Sequence, residues 1–138
     1  MPLTLTLTEG ILTREQATKA VRQLTDTMLE LHDLTGNSVM TPNVTANVHF
    51  VPEGLSFSGG EPFRGAWVEW KVPSFAFATR EVQEGFGASA ADIIHELSGG
   101  SQPKENVYFN VVHTVDGTWN LDGRAMTNEE LGEAISKG

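Results

Sequence analysis

The sequence predicts an α+β fold in which tandem β-α-β units form a four-stranded mixed sheet with two helices on one face. Three observations carry this. Leu3, Leu5 and Leu7 alternate with Thr4, Thr6 and Thr8, the period-two pattern of a strand with two unlike faces. Two long stretches then place apolar residues at three- and four-residue steps, each between strand-like runs. Glycine and proline mark the junctions, so the order strand–helix–strand occurs twice. A helix joining parallel strands makes a right-handed crossover, and two such units set both helices against one sheet.

The first strand ends at Gly10. Thr13-Arg-Glu-Gln16 reads as a capping box, and Ala17, Ala20, Val21, Leu24, Met28 and Leu31 form the apolar face of the helix it opens. That helix is expected to stop near Leu34-Thr-Gly36. Turn residues Asn37, Ser38 and Pro42 lead to a strand over 44–51. Pro52 and Gly54 break it, and 58–62 reads as a loop. A third strand over 66–72 ends at Pro73. The second helix is expected from about Thr79, burying Val82, Phe86, Ala90, Ile93, Ile94 and Leu97, with Gly85 and Gly87 each weakening it by up to about 1 kcal/mol relative to alanine. Gly99-Gly100 stop it. A fourth strand spans 107–112, and the Asp116-Gly117 turn precedes a short piece at Trp119-Asn120. Thr127-Asn-Glu-Glu130 caps a last short helix over 131–135. No linker divides the chain, so 1–138 reads as one domain of two units, about 2–62 and 63–126, with a terminal helix over 127–136.

Of the 138 residues, 39% are hydrophobic and 20% charged, an ordinary globular composition. The absence of cysteine excludes disulfides, thiolate metal sites and cysteine nucleophiles, and suits a reducing, cytoplasmic setting. No stretch resembles a signal peptide or a membrane span. A net charge of −9 without a basic face argues against nucleic acid as a partner.

Pro2 is the residue that methionine removal would leave at the chain terminus, a secondary amine at the start of a strand. An α-amino group ordinarily titrates near 7.7–8.0, and burial or a neighbouring cation lowers that value. Such a group is a neutral general base near pH 7. With Met1 in place the same nitrogen is an amide. Pro2 on this stretch alone also reads as an ordinary residue that starts a strand.

Other motifs fail on their context. Gly85-Phe-Gly87-Ala-Ser-Ala90 has the letters of a dinucleotide fingerprint but lies within a helical pattern, not after a strand. His95-Glu96 begins a metalloprotease motif, yet Gly99 stands where the second histidine belongs. Gly54-Leu-Ser56-Phe-Ser58 lacks the closing glycine of a nucleophile elbow. His32, His49, His95 and His113 have no metal-ligand spacing and read as structural, so no metal or cofactor is expected.

A proline terminus ahead of a doubled strand–helix–strand chain of this length resembles the tautomerase superfamily. The run 48–62, Asn106-Val-Tyr-Phe-Asn110 and Trp119-Asn120 are similar to parts of the macrophage migration inhibitory factor (MIF) group. Met1-Pro-Leu3 and Leu7-Thr-Glu-Gly10 resemble 4-oxalocrotonate tautomerase and malonate semialdehyde decarboxylase. Leu24-Thr-Asp26 and Leu34-Thr-Gly36 resemble the cis-3-chloroacrylic acid dehalogenase group. The resemblance runs to about Met126. It implies a MIF-like fold, a symmetric homotrimer, and Pro2 as base or acid near a subunit boundary. It places Tyr108, Asn110 and Trp119 at pocket-lining positions, some supplied by a neighbouring subunit, and Lys71 at the pocket wall. Tyr108 and Asn110 share one face of a strand, as residues two apart must. Lys71 there would bind a carboxylate and lower the Pro2 pKa.

The chain also departs from these groups. Where the dehalogenases and decarboxylases carry two arginines after the third strand, this chain has the uncharged stretch 72–77. The dehalogenase helix histidine aligns with Met28, and the decarboxylase acidic residue falls near Pro42. Water activation and bidentate carboxylate capture lack their usual residues, which argues against both activities. The arginine that small tautomerases carry after the first strand is Ile11 or Leu12 here. Arg14, Arg64, Arg80 and Arg124 remain as candidate anion contacts.

The sequence therefore points to a cofactor-independent tautomerase or isomerase acting on a carboxylate substrate, an enol or 2-hydroxy-dienoate 2-oxo acid. Pro2 is the base and acid; Lys71, Tyr108 and Asn110 stabilise dienolate charge; Pro73, Phe75 and Phe77 form an apolar wall for an aryl or other apolar tail. The alternatives are a non-catalytic trimeric binding scaffold, suggested by the missing arginines, and a hydratase of unsaturated acids.

Overall fold

The computed structural model describes residues 1–138. Its elements are β1 (Leu3–Thr8), α1 (Arg14–Leu31), β2 (Ala46–Val51), β3 (Phe57–Ser58), β4 (Glu61–Pro62), β5 (Ala66–Val72), α2 (Arg80–Leu97), β6 (Val107–His113), β7 (Trp119–Leu121), β8 (Arg124–Met126) and α3 (Asn128–Ser136). The main sheet has the order β2-β1-β5-β6. β1 and β2 are parallel, as are β5 and β6, while the inner pair β1 and β5 runs antiparallel. The mixed sheet and doubled β-α-β order are those the sequence predicts.

The alternation in β1 divides the sheet into two faces. Leu3, Leu5 and Leu7 are fully buried with Val68, Trp70 and the inner residues of α1 and α2, in an apolar cluster of 25 buried residues. Thr4 and Thr6, with Trp67, Glu69 and Lys71 on β5, are on the opposite face, which no helix covers in the protomer. Both long helices begin as expected. Thr13 makes the full capping box with Gln16, and Thr79 accepts from Val82 N.

The structure differs from expectation at several boundaries, each for a local reason. α1 stops at Leu31, before the expected 34–36, because Asp33 takes a left-handed conformation (φ 56°). The second strand starts at Ala46 rather than 44, since Thr41–Asn43 closes a 3-10 turn first. The 58–62 loop is a hairpin of β3 and β4, and 119–126 is a second hairpin of β7 and β8. Both turn on residue pairs with positive φ (Gly59-Gly60 and Asp122-Gly123), the backbone that two-residue hairpins require. α2 runs unbroken through Gly85 and Gly87. A Cβ on Gly87 would meet the Phe109 ring at 3.4 Å, so this glycine lets the helix lie close on β6.

Candidate active site at the amino terminus

Because β1 is an inner strand, the amino terminus enters the middle of the sheet rather than hanging from its edge. Three backbone contacts fix it there. The Leu3 N–H donates to Thr45 O at 2.8 Å, and the Lys71 N–H donates to Pro2 O at 3.1 Å. The Met1 amino group donates to Asn43 O at 2.6 Å. Proline has no N–H to lose at this position, so Pro2 is accommodated without breaking the ladder. The register Leu3↔Trp70 sets Pro2 opposite Lys71, and residues directly opposite share one face.

A cavity of about 310 Å³ opens at this end of the sheet, bordered by Met1, Pro2, Asn43, Thr45, Lys71, Thr114, Thr118, Trp119 and Asn120. It is the size of a small-molecule site. Lys71 is its one cation, with the Glu69 carboxylate 3.9 Å away along the strand. The other polar groups are hydroxyls and amides. The Thr118 hydroxyl donates to Val115 O at 2.6 Å, and Asn120 Nδ2 donates to Thr118 O at 3.3 Å, which steadies the loop before β7. Trp119 is the buried aromatic of the lining, and its indole Nε1 has no hydrogen-bond partner. Burial holds the Met1 amine well below its ordinary 8.0, at about 5, by removing water from the charged form. The Met1 amine is therefore neutral at pH 7.

The structure brings together three of the residues singled out from sequence: Pro2, Lys71 and Trp119. It leaves Tyr108 and Asn110 apart from them. Both lie exposed on the uncovered face of β6, the outer strand, with Tyr108 stacked on Trp67 at 5.9 Å between ring centroids. Tyr108 pairs with Trp67, four residues before Lys71, so along the strand it lies about 13 Å from the cavity row. None of the four arginines reaches the cavity. Arg64 pairs with Glu53, Arg80 with Glu84 and Arg124 with Glu130, and Arg14 lies beyond the far end of β1 against Phe50. The expected wall of Pro73, Phe75 and Phe77 is corrected. Phe77 is buried in the core at 4.8–5.9 Å from the rings of His32, Trp70, Phe86 and Phe109, and neither Pro73 nor Phe75 borders the cavity. The polar lining from Asn43, Thr45, Thr114, Thr118 and Asn120 was not foreseen apart from the Trp119-Asn120 piece. These are turn and strand-end residues with no periodicity to mark them.

The histidines serve the frame. His32 Nδ1 is 2.8 Å from Met28 O, and its Nε2 accepts the Phe77 N–H at 2.9 Å. His95 bonds Gln102 O and His113 bonds Ala76 O, while His49 is exposed on β2.

No protein-family model and no curated protein matches this sequence. Solved structures do match its shape. The N1 protein of the cis-3-chloroacrylic acid dehalogenase (cis-CaaD) family superposes with a TM-score of 0.73 over 100% of both chains, at 12% identity. A fused 4-OT wild-type symmetric trimer gives 0.75 over 96% of this chain and 99% of its own, at 13% identity. The macrophage migration inhibitory factor-like protein of Entamoeba histolytica gives 0.68 over 91% and 97%, at 15% identity. The chain has the tautomerase-superfamily fold. The amino terminus of β1 and the cavity beside it lie at one end of the inner strand pair of this fold, and the sheet face opposite the helices is open.

Proposed function

We propose that the protein is a cofactor-independent tautomerase or isomerase in which Pro2, freed by loss of Met1, acts as general base and acid on the enol or 2-hydroxy-dienoate form of a 2-oxo acid. The observation that carries this reading is the desolvated amine position at a cavity whose one cation stands opposite Pro2. The burial that depresses the Met1 amine would act likewise on a free Pro2 amine one residue on, and Lys71 would add to it while binding the substrate carboxylate. Pro2 would take the enol proton and return it at another carbon. The lining amides and hydroxyls would hydrogen-bond the dienolate as charge develops.

We further propose a homotrimer in the cytoplasm, with Tyr108 and Asn110 of a neighbouring copy completing each site. Their exposure on the uncovered sheet face, away from the cavity of their own protomer, supports this. The experiment is turnover of phenylenolpyruvate and 2-hydroxypenta-2,4-dienoate by the protein and its Pro2→Ala variant. The reading predicts loss of most turnover in the variant; full activity without Pro2 refutes it.

One observation favours the non-catalytic scaffold. Met1 is 2% exposed, buried with the core, so a form that keeps methionine folds with the Met1 amine at the cavity and the Pro2 nitrogen tied up as an amide.

A further inference from the structure

The Pro2 reading requires that Met1 leave, and the structure shows what Met1 fills. Met1 continues the buried alternation of Leu3, Leu5 and Leu7 toward the helix layer, whereas Pro2, Thr4 and Thr6 lie between them on the opposite side. Its residue is 2% exposed and belongs to the apolar cluster, and it also borders the cavity of Pro2, Lys71 and Trp119. The Met1 carbonyl carbon is bonded to the Pro2 nitrogen. Removing the residue therefore opens an apolar space that begins at that nitrogen and runs into the core. Close-packed interiors relax only partly around a deleted side chain, so the space keeps much of the methionine shape.

We infer that the space vacated by Met1 is the subsite for the substrate's tail, and that the substrate is a small monocarboxylate 2-oxo acid, or its enol, with an unbranched apolar tail of about four heavy atoms. This deepens the proposed function and rests on it. The carboxylate lies at Lys71, the one cation of the cavity. A second carboxylate has no cation to meet it. The reacting carbon lies beside the Pro2 nitrogen, and the tail follows the path of the former methionine side chain. The space left by the methionine side chain is walled by the apolar cluster, so an apolar tail gains more there than a polar one, and an aromatic ring is wider than a linear chain. The removed residue thus acts as a plug whose outline the substrate inherits.

The test uses processed protein and a calorimetric binding series of 2-oxo acids with straight tails from pyruvate to 2-oxooctanoate, with phenylpyruvate beside them. Affinity is expected to rise about fourfold per methylene until the tail reaches the length of a methionine side chain, and then to level off. Phenylpyruvate is expected to bind no better than the two-carbon-tail acid. Protein expressed with methionine removal inhibited is expected to show no gain with tail length. A flat series, an absence of binding, or tightest binding of the aryl acid overturns the assignment, as does an equal length dependence in the methionine-retaining form. Uptake of a propiolate probe at Pro2, read by mass, separates the two claims. A flat series in protein that takes up the probe removes the subsite and leaves Pro2 standing as the base. A steep series in protein that takes up none removes the base and leaves the subsite.

Discussion

Pro2 and Lys71 are cross-strand partners. The Lys71 N–H closes on Pro2 O at 3.1 Å, one residue beyond the last paired row of β1 and β5. The lysine main chain is thereby fixed opposite the residue proposed as base, on the same face of the sheet, and its side chain borders the same cavity. Lys71→Met is expected to lower kcat/KM for a carboxylate substrate ten- to a hundredfold, the effect of one lost charged hydrogen bond of about 1.5–3 kcal/mol. Lys71→Arg should keep part of the activity. Steady-state kinetics on both variants decides this, and an unchanged Lys71→Met removes the lysine from the site.

Met1 has its own signature in pH. The folded protein holds its amine at about 5 against an unfolded value near 8.0. Between those values the unfolded chain binds more protons than the native one, so stability rises with pH through this window. Above pH 8 both states are neutral and the effect is complete; below pH 5 both are charged and the cost of burial is fully present. Denaturant titrations of methionine-retaining protein at pH 5, 6.5 and 8 should show the midpoint climbing. A flat or falling midpoint means that the amine is solvated.

Losing Met1 removes a core side chain. Truncations of this size cost about 2–5 kcal/mol, so processed protein should melt several degrees below the methionine-retaining form. Differential scanning calorimetry on the two forms checks this. Equal melting temperatures would mean that the vacated space collapses or is filled from a neighbouring copy.

His32 is expected to matter for stability and not for catalysis. It links α1 to the buried Phe77, whose backbone is left-handed (φ 52°) and whose N–H has Nε2 as its partner. His32→Ala strands that N–H and should cost about 1–3 kcal/mol in chemical denaturation, with KM unchanged in the folded fraction. A raised KM would place His32 within reach of the substrate.

If Tyr108 and Asn110 act from a neighbouring copy, two defects can complement each other. Mixing Pro2→Ala and Asn110→Ala subunits by co-expression should restore activity at about a quarter of the sites in a statistical trimer. Two variants that stay silent together would place both residues in one protomer's site, and an Asn110→Ala variant that is fully active alone would place Asn110 in none.

The fold was legible because its signals are local. The Leu/Thr alternation of β1, the Thr13 and Thr79 caps and the glycine stops each state a backbone conformation within a few residues. The ends of α1 and β2 were less so, since the Asp33 φ and the Thr41–Asn43 turn answer to their tertiary surroundings. Pro2 was marked by its place behind Met1, Lys71 and Trp119 were found through resemblance, and only the β1–β5 register explains why Pro2 and Lys71 stand together. Phe77 misled because an apolar residue after a strand reads alike as a pocket wall or a core ring; its packing on Trp70 and Phe86 decides for the core. The threonine and asparagine lining had no pattern to read, being set by where loops converge.

The central claim is that Pro2 works as a free, neutral amine, and intact mass tests it most directly. Protein expressed without an amino-terminal tag is incubated with a propiolate probe, weighed whole and mapped by peptide. The account predicts a chain lacking methionine that carries one adduct, located on Pro2. A chain that keeps Met1 across expression hosts, or a processed chain that takes up no probe, would contradict it.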